Sequence, residues 1–295
     1  MIALFSRYGY LVFPGFLVIL GLCSCKEKQP LDNKVASETI EKELLFIDSS
    51  KYTIETRFTP PEGYKREFLD KQSFAHYLRT FPLLGKNEKV MLYDGSHKSN
   101  QSVHESILDI DVGKRDLQQC ADAVMRLRAE YLYAQNRFDE IGFDFTNGWH
   151  FEYSRWRAGN DLVINGNNTS WRPTENKKLG YNQFRSYLDW VFMYAGTLSL
   201  SRELKQKSVD QVEIGDVFIY GGSPGHAVIV MDMAVDSNSG DKAIMLAQSY
   251  MPAQQIHILK NMDNPQISPW YKVSEIEEVL STPEWNFSRE ELKEW

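Results

Sequence analysis

A single histidine opens an apolar run in the stretch GDVFIYGGSPGHAVIVMDM (215–233), directly after a glycine-rich turn. The pattern predicts that His226 lies at the mouth of a buried strand. Such a histidine could bind a backbone carbonyl and cap the strand, or it could exchange protons in a site. The rest of the chain must supply partners if the second interpretation is correct.

The second chemistry-bearing residue is Cys120, in DVGKRDLQQCADAVMRLRAEYLYAQ (111–135). Asp116 is a good N-cap and Gln119 stands in the capping-box position, so we expect a helix in which Cys120 lies one turn inside the N-terminus. The helical period predicts a polar stripe and an opposite, inward face: Gln119, Asp122, Arg126 and Glu130, against Cys120, Val124, Leu127 and Tyr131. That position suits a buried core thiol, and it also suits a thiolate stabilised by the helix dipole.

The N-terminus reads as an export signal. Arg7 precedes the apolar stretch LVFPGFLVILGL, and LCSC follows at once. This resembles a bacterial lipobox in which Cys25 is acylated, although a plain secretory signal is the alternative. We therefore expect a signal peptide over 1–24, a tether over 25–51, and a protein anchored in the cell envelope by its lipid. Removal of Cys23 and acylation of Cys25 would leave Cys120 as the one free thiol.

The remaining pattern predicts one α+β domain over 52–295. Helical spacing is found at 73–83 and at 181–205, where Gly196 is expected to break the helix, and a further helix is expected from Ser288, which begins a capping box with Glu291. Strands are predicted at 89–95, within 143–171, and at 216–220, 226–235, 243–250 and 256–259. No second core or internal repeat is visible, and helices precede the strands that meet them.

Four stretches together resemble the core of the papain-like cell-wall hydrolases of the NlpC and CHAP kind: YLDWVFMYAG, SVDQVEIGDVFIY, GHAVIVMDM and MLAQSY. The resemblance implies a helix packed on a small antiparallel sheet, with N-terminal elaborations and a core at about 181–260. It implies that His226 is the catalytic base and that Gln248 orients it. Gly222, Ser223 and Gly225 would form one lip of the cleft.

The nucleophile does not follow the pattern of those hydrolases. Their cysteine opens the helix that corresponds to 181–196, where this chain has Phe184 at about the matching position. Either Cys120 from the earlier helix occupies the site, or the site has lost its catalysis. A symmetric turn in DSNSGD would also place Gln248 opposite Val230 rather than His226, and only an asymmetric loop would bring it closer.

Several function classes are disfavoured. The formal charge is −7 and no basic block is present, so nucleic acid is not an expected partner. Asp109 and Asp111, with His97 and His104 upstream, match no metal-site spacing, and phosphate loops and dinucleotide fingerprints are absent, so we expect no metal and no cofactor.

Two hypotheses remain. The first is an envelope lipoprotein that hydrolyses or transfers amide bonds in peptidoglycan or other envelope peptides, with Cys120 attacking, His226 as base and Gln248 orienting it. The second is a catalytically degenerate papain-like domain that binds a peptide, a glycan or an envelope protein. The whole chain also resembles a family of bacterial envelope lipoproteins known only as a domain of unknown function, which implies a compartment and no activity.

Overall fold

Nine antiparallel strands form the main sheet of the computed structural model, which describes residues 52–295. The strands of this sheet are β1 (Tyr64–Lys65), β2 (His104–Ile107), β7 (Lys205–Gln206), β8 (Val217–Tyr220), β9 (His226–Asp236), β10 (Lys242–Gln248), β11 (His257–Leu259), β12 (Trp270–Lys272) and β15 (Leu292–Glu294). Their order in the sheet is β2-β11-β10-β9-β8-β15-β7, with β1 also paired to β9 and β12 also paired to β10. The sheet therefore takes strands from well outside the 181–260 segment.

Three separate hairpins surround it: β3 (Gly142–Asp144) with β4 (His150–Glu152), β5 (Asn160–Asn165) with β6 (Asn168–Pro173), and β13 (Val279–Ser281) with β14 (Asn286–Ser288). The helices are α1 (Ile54–Arg57), α2 (Phe74–Arg79), α3 (Cys120–Ala134), α4 (Tyr153–Arg157), α5 (Tyr181–Tyr194) and α6 (Thr197–Glu203). The expected break at Gly196 is confirmed. The described residues thus form a mixed α/β structure with few helices, and none of their helices is long and apolar enough to cross a membrane.

The two faces of the sheet are buried by different parts of the chain. One face packs against α2 and α3, and residues such as Ala227 and Ile229 point into that core. The other face carries Val228 and Val230 and is covered by the C-terminal segment, including Phe287. Alternation along β9 explains the split, because successive side chains of a strand point to opposite faces.

A bulge in β9 changes that alternation. Met245 pairs with Asp232, but Leu246 pairs with Val230, so Met231 has no partner on β10. One extra residue on one strand is the definition of a β-bulge. The register after the bulge continues through Ala247 and Ile229, and its extension sets Gln248 beside Val228, one diagonal step from His226. The expected position of Gln248 opposite Val230 is therefore wrong.

A buried ion cluster joins the N-terminal segment to β9. Asp232 is fully buried, and its two carboxylate oxygens each accept a 2.7 Å hydrogen bond, one from Arg66 and one from Arg79. Both oxygens are thus paired with charged donors, which offsets the cost of taking the carboxylate out of water.

Three sequence predictions need correction. Residues 89–95 form only isolated bridges, at Met91 and Leu92, because Met91 and Tyr93 bond to the loop residues Gln255 and Ala253 instead of to a neighbouring strand. The capping box at Ser288 is present, but it opens a single 3₁₀ turn that leads into β15 rather than a helix. The stripe on α3 is not solvent-facing, since Asp122 and Arg126 are buried.

Candidate functional site

His226 and Gln248 meet at one end of the sheet. His226 is the first residue of β9 and Gln248 is the last residue of β10, and both are 1% exposed. The His226 Nε2 atom and the Gln248 Oε1 atom are 2.7 Å apart. The bulge in β9 makes this contact possible, because it places both side chains on the same face of the sheet.

The Gln248 amide is held from its other end. Its Nε2 donates to Glu284 Oε2 at 2.6 Å, and it lies 3.4 Å from His257 Nε2. Glu284 is itself paired with Lys98 at 2.8 Å, and the Lys98 side chain is only 6% exposed. A carboxylate can only accept hydrogen bonds, so Glu284 fixes the NH₂ group of Gln248 on its side.

These contacts determine the tautomers of both histidines. The His257 Nδ1 atom donates to the Gln255 carbonyl at 2.9 Å, which leaves His257 Nε2 as an acceptor for the amide of Gln248. The Gln248 oxygen must then accept from His226, so the proton of His226 is on Nε2. The lone pair of His226 is therefore on Nδ1, and this nitrogen is the basic one.

Both histidines are neutral at ordinary pH. Burial lowers the pKa of His226 to about 4, against a small opposing effect of its bond to Gln248. Burial also lowers the pKa of His257 to about 3. Aromatic rings enclose His226 further: Tyr250 at 4.9 Å between centroids, Trp285 at 5.5 Å and Phe287 at 5.8 Å.

Cys120 is the first residue of α3, which packs against β9. The helix thus begins four residues after the expected N-cap, and Cys120 is not one turn inside it. Asp116 instead accepts the Ala253 N–H at 2.7 Å, while Asp122 accepts the Gln119 N–H at 3.0 Å and closes the true cap. The cysteine is therefore placed where the unpaired N–H groups of the helix are concentrated.

The sulfur of Cys120 lies against the backbone on either side of His226. Its thiol donates to the Gly225 carbonyl at 3.9 Å, and the Ala227 backbone N–H hydrogen-bonds to the sulfur. Val230 directs its N–H and C=O toward the segment before β8, so Gly225 and Ala227 direct theirs the opposite way, toward β10. Because β10 ends at Gln248, it does not pair with Gly225 and Ala227, and Cys120 hydrogen-bonds to their backbone in its place.

The thiol is protonated at neutral pH. Burial, followed by the Asp122 carboxylate, raises the pKa of Cys120 to about 11. Asp122 is itself buried, which raises its own pKa to about 8. The Cys120 and His226 side chains are thus a neutral thiol and a neutral imidazole, not an ion pair.

The loop before His226 is positioned by α6. Thr197, the first residue of α6, donates to the Gly222 carbonyl at 3.2 Å. A Cβ on Gly225 would lie 2.2 Å from Thr197 Oγ1 and 2.6 Å from the Gly222 carbonyl oxygen, so this position needs glycine. Gly225 adjoins the sulfur, whereas Ser223 is exposed at the tip of the loop.

Phe184 is not at the site, so the expected correspondence between α5 and the nucleophile helix is wrong. Its ring is fully buried and stacks on Tyr133 at 4.3 Å, within an aromatic cluster that includes Tyr153. The helix that begins beside His226 is α3, and its first residue is a cysteine. The resemblance pointed to α5 because, in the resembling hydrolases, the helix that carries the cysteine precedes the GD strand and the histidine strand in sequence, as α5 does here.

Gln118 is a polar neighbour that sequence reasoning missed. It is 1% exposed, and its Oε1 accepts from Arg126 at 2.7 Å. Among residues 52–295, its Nε2 has no hydrogen-bond partner. Arg126 is anchored in turn by Glu130 at 2.7 Å, so the Gln118 amide nitrogen is turned away from that charged cluster. A buried, unused N–H donor two residues before the cysteine is available to a bound group.

Glu284, Lys98 and His257 were also missed, because each comes from a segment far from the motif and no local pattern marks them. The residues that were predicted to meet, Cys120, His226 and Gln248, do lie around one end of β9. Within the described part of the chain, no group of three or more His, Cys, Asp or Glu side chains could hold a metal ion. The predicted acylation site Cys25 lies outside the described residues.

No curated protein and no solved structure matches this chain. A family model matches residues 54–294, which is most of the chain and spans every element described above. The chain therefore belongs to the DUF4846 family, a domain of unknown function.

Proposed function

We propose that this protein is a papain-like thiol enzyme that hydrolyses or transfers amide bonds in cell-envelope peptides, peptidoglycan among them. One observation carries the proposal. The Gln248 amide is held between Glu284 and His226 so that the basic Nδ1 of His226 is fixed, and the adjoining backbone contacts the thiol of a helix-opening cysteine. The predicted lipid anchor at Cys25 would place the domain at the envelope.

The reaction begins from the neutral pair. Rotation of the Cys120 side chain away from the Gly225 carbonyl would present its S–H to His226 Nδ1. The sulfur then attacks the substrate carbonyl carbon as the thiol proton moves to His226. Gln248 accepts the remaining N–H of the imidazolium and stabilises it in the same orientation.

The tetrahedral intermediate carries a negative oxygen. Two kinds of donor can bind it: the backbone N–H groups at the start of α3 and the unused Nε2 of Gln118. Collapse expels the amine, which takes the proton from His226 and leaves a thioester on Cys120. Water then completes hydrolysis, or a second amine completes transfer, by the reverse proton path.

The test is mass spectrometry of muropeptides after purified peptidoglycan is incubated with the full-length protein. We expect products that carry one added water, absent with Cys120→Ala, and a rate about 10²- to 10⁴-fold lower with His226→Ala, the usual contribution of a general base. His150→Ala is the matched control, because the His150 side chain is exposed and, among residues 52–295, hydrogen-bonds to Asp144 alone. Identical products from wild type and Cys120→Ala would overturn the proposal.

A second candidate function is a non-catalytic binding module of the same fold. The observation that favours it is the state of Cys120, which is 6% exposed with a pKa raised to about 11. This candidate predicts that wild type and Cys120→Ala sediment equally with insoluble peptidoglycan and that neither alters it. Cysteine-dependent products would exclude it.

A further inference from the structure

A cavity of about 330 Å³ lies at the β2 edge of the sheet, opposite the edge formed by β7. It is bounded by the loop 85–89, the edge of β2 and Lys260, which follows β11. The volume is within the range of small-molecule sites, which is about 300–1,000 Å³. Nothing in the proposed reaction uses it.

The lining is cationic although the protein as a whole is acidic. Four basic side chains line the cavity, Arg57, Lys86, Lys89 and Lys260, against two acidic ones, Glu88 and Glu105. The chain as a whole has a formal charge of −7. A local excess of positive charge in a concave site attracts anions and raises their local concentration.

The most buried of these cations is held in place. Arg57 is 2% exposed, and its Nη1 donates to the Leu84 carbonyl at 2.8 Å and to Ser106 Oγ at 2.5 Å. Lys260 is 3.9 Å from Glu105, so its contact with that carboxylate is loose. Lys86 and Lys89 form no ion pair with any side chain of residues 52–295 and are exposed at the mouth.

The loop itself adds neutral donors. None of the backbone N–H groups of residues 85–89 donates a hydrogen bond to another described residue. Asn87 has φ +69°, in the left-handed region. Successive backbone N–H groups around such a residue form concave anion-binding nests. Charge, volume and unused donors thus agree on one class of ligand.

We propose that this cavity binds the carboxylate or phosphate group of a small anionic ligand. The lysines at the mouth attract the anion, and the N–H groups of the loop 85–89 bind its oxygens. His104 lines the same cavity and its ring is 6.0 Å from that of His257, which contacts Gln248. The cavity therefore adjoins the residues that hold Gln248 beside His226, but the proposal does not depend on catalysis.

The test is a titration of the ¹⁵N-labelled full chain with sodium phosphate and with sodium succinate, followed by NMR at pH 7. Sodium chloride at equal ionic strength is the control salt. We expect saturable shifts of the amides of residues 85–89, and the salt that produces them identifies the group as phosphate or carboxylate. No saturable shift, or the same shifts with chloride, would overturn the proposal.

Variants locate the site independently. Lys86→Gln, Lys89→Gln and Lys260→Gln combined should weaken the binding by at least about tenfold, since each accessible charge contributes a factor of about two to five. The control is a double variant, Lys71→Gln with Lys205→Gln, which changes two exposed lysines outside the cavity. It should change the affinity for the anion by less than about twofold. Unchanged affinity in the triple variant would also contradict the proposal.

Discussion

The protonation state of Cys120 leads to a quantitative prediction about its reactivity. Only the thiolate reacts with iodoacetamide, and the pKa of Cys120 is raised to about 11. At pH 7.5 the thiolate fraction is then about 3 × 10⁻⁴, against about 0.1 for a free thiol with a pKa of about 8.5. Alkylation should therefore be at least about 300-fold slower than that of a small exposed thiol.

The pH profile should follow from the same value. The rate should rise about tenfold per pH unit below pH 7, rise less steeply through pH 8 because the Asp122 carboxylate ionises there, and reach no plateau below about pH 10. The assay is a stopped-time alkylation of the full chain carrying Cys23→Ser and Cys25→Ser, so that Cys120 is the only thiol, with labelling counted by intact mass.

Asp122→Asn separates the charge effect from burial. Asn keeps an oxygen that can accept the Gln119 N–H, but it removes the carboxylate that raises the pKa of Cys120. Because the pKa of Asp122 is about 8, it is uncharged at pH 6.5 and ionised at pH 9.5. The variant should react like wild type at pH 6.5, and about 3- to 10-fold faster at pH 9.5.

A different profile would refute this reasoning. Fast labelling with a midpoint below pH 8 that disappears in His226→Ala would mean that Cys120 and His226 form a thiolate–imidazolium pair. An equal effect of Asp122→Asn at both pH values would mean that the carboxylate is charged throughout, and that its burial does not raise its pKa.

Three further outcomes are expected. Gly225→Ala should lower the free energy of unfolding in urea by about 1–3 kcal/mol, because the added Cβ would meet backbone atoms. Gly196→Ala, whose Cβ would enter open space, should cost only a few tenths of a kcal/mol. Equal effects of the two variants would contradict the packing described for Gly225. Asp232→Asn should cost about 3–5 kcal/mol, since it leaves the buried Arg79 and the part-buried Arg66 guanidinium groups without their carboxylate. A loss below about 1 kcal/mol would show that the cluster is hydrated. In the unfolded chain His226 and His257 bind protons near pH 6.5, whereas in the folded protein they do so only near pH 4 and pH 3. Each histidine should therefore remove about 1.4 kcal/mol of folding stability per pH unit as the pH falls from 6.5 to 4. A urea midpoint that does not change over that pH range would refute this prediction.

The sequence was informative where the signal was local. The apolar runs at 216–220 and 226–235, and the glycine break in the helix 181–205, correspond closely to elements of the structure. The true start of α3 was missed because Asp116 has the right type and spacing for an N-cap. Its carboxylate is instead used by Ala253, a residue distant in sequence, and no local pattern reveals such a partner.

Long-range pairing also explains the other errors. Arg126 reads as a surface residue, yet it is fully buried because Glu130 and Gln118 satisfy its guanidinium group. Glu284 and Lys98 are ordinary surface types, and only the fold brings them to Gln248. In each case polar groups are buried together, and burial of polar groups depends on partners rather than on hydropathy.

The bulge at Met231 determines which face of the sheet His226 occupies. Every residue of β9 before the bulge takes its face of the sheet from that one unpaired residue. A register in which Met231 paired regularly with Leu246 would keep the whole sequence, yet it would turn His226 toward α3 and place Ala227 on the opposite face, where Gln248 lies. Loss of the bulge alone would thus dismantle the site while every residue named in it remained in the chain.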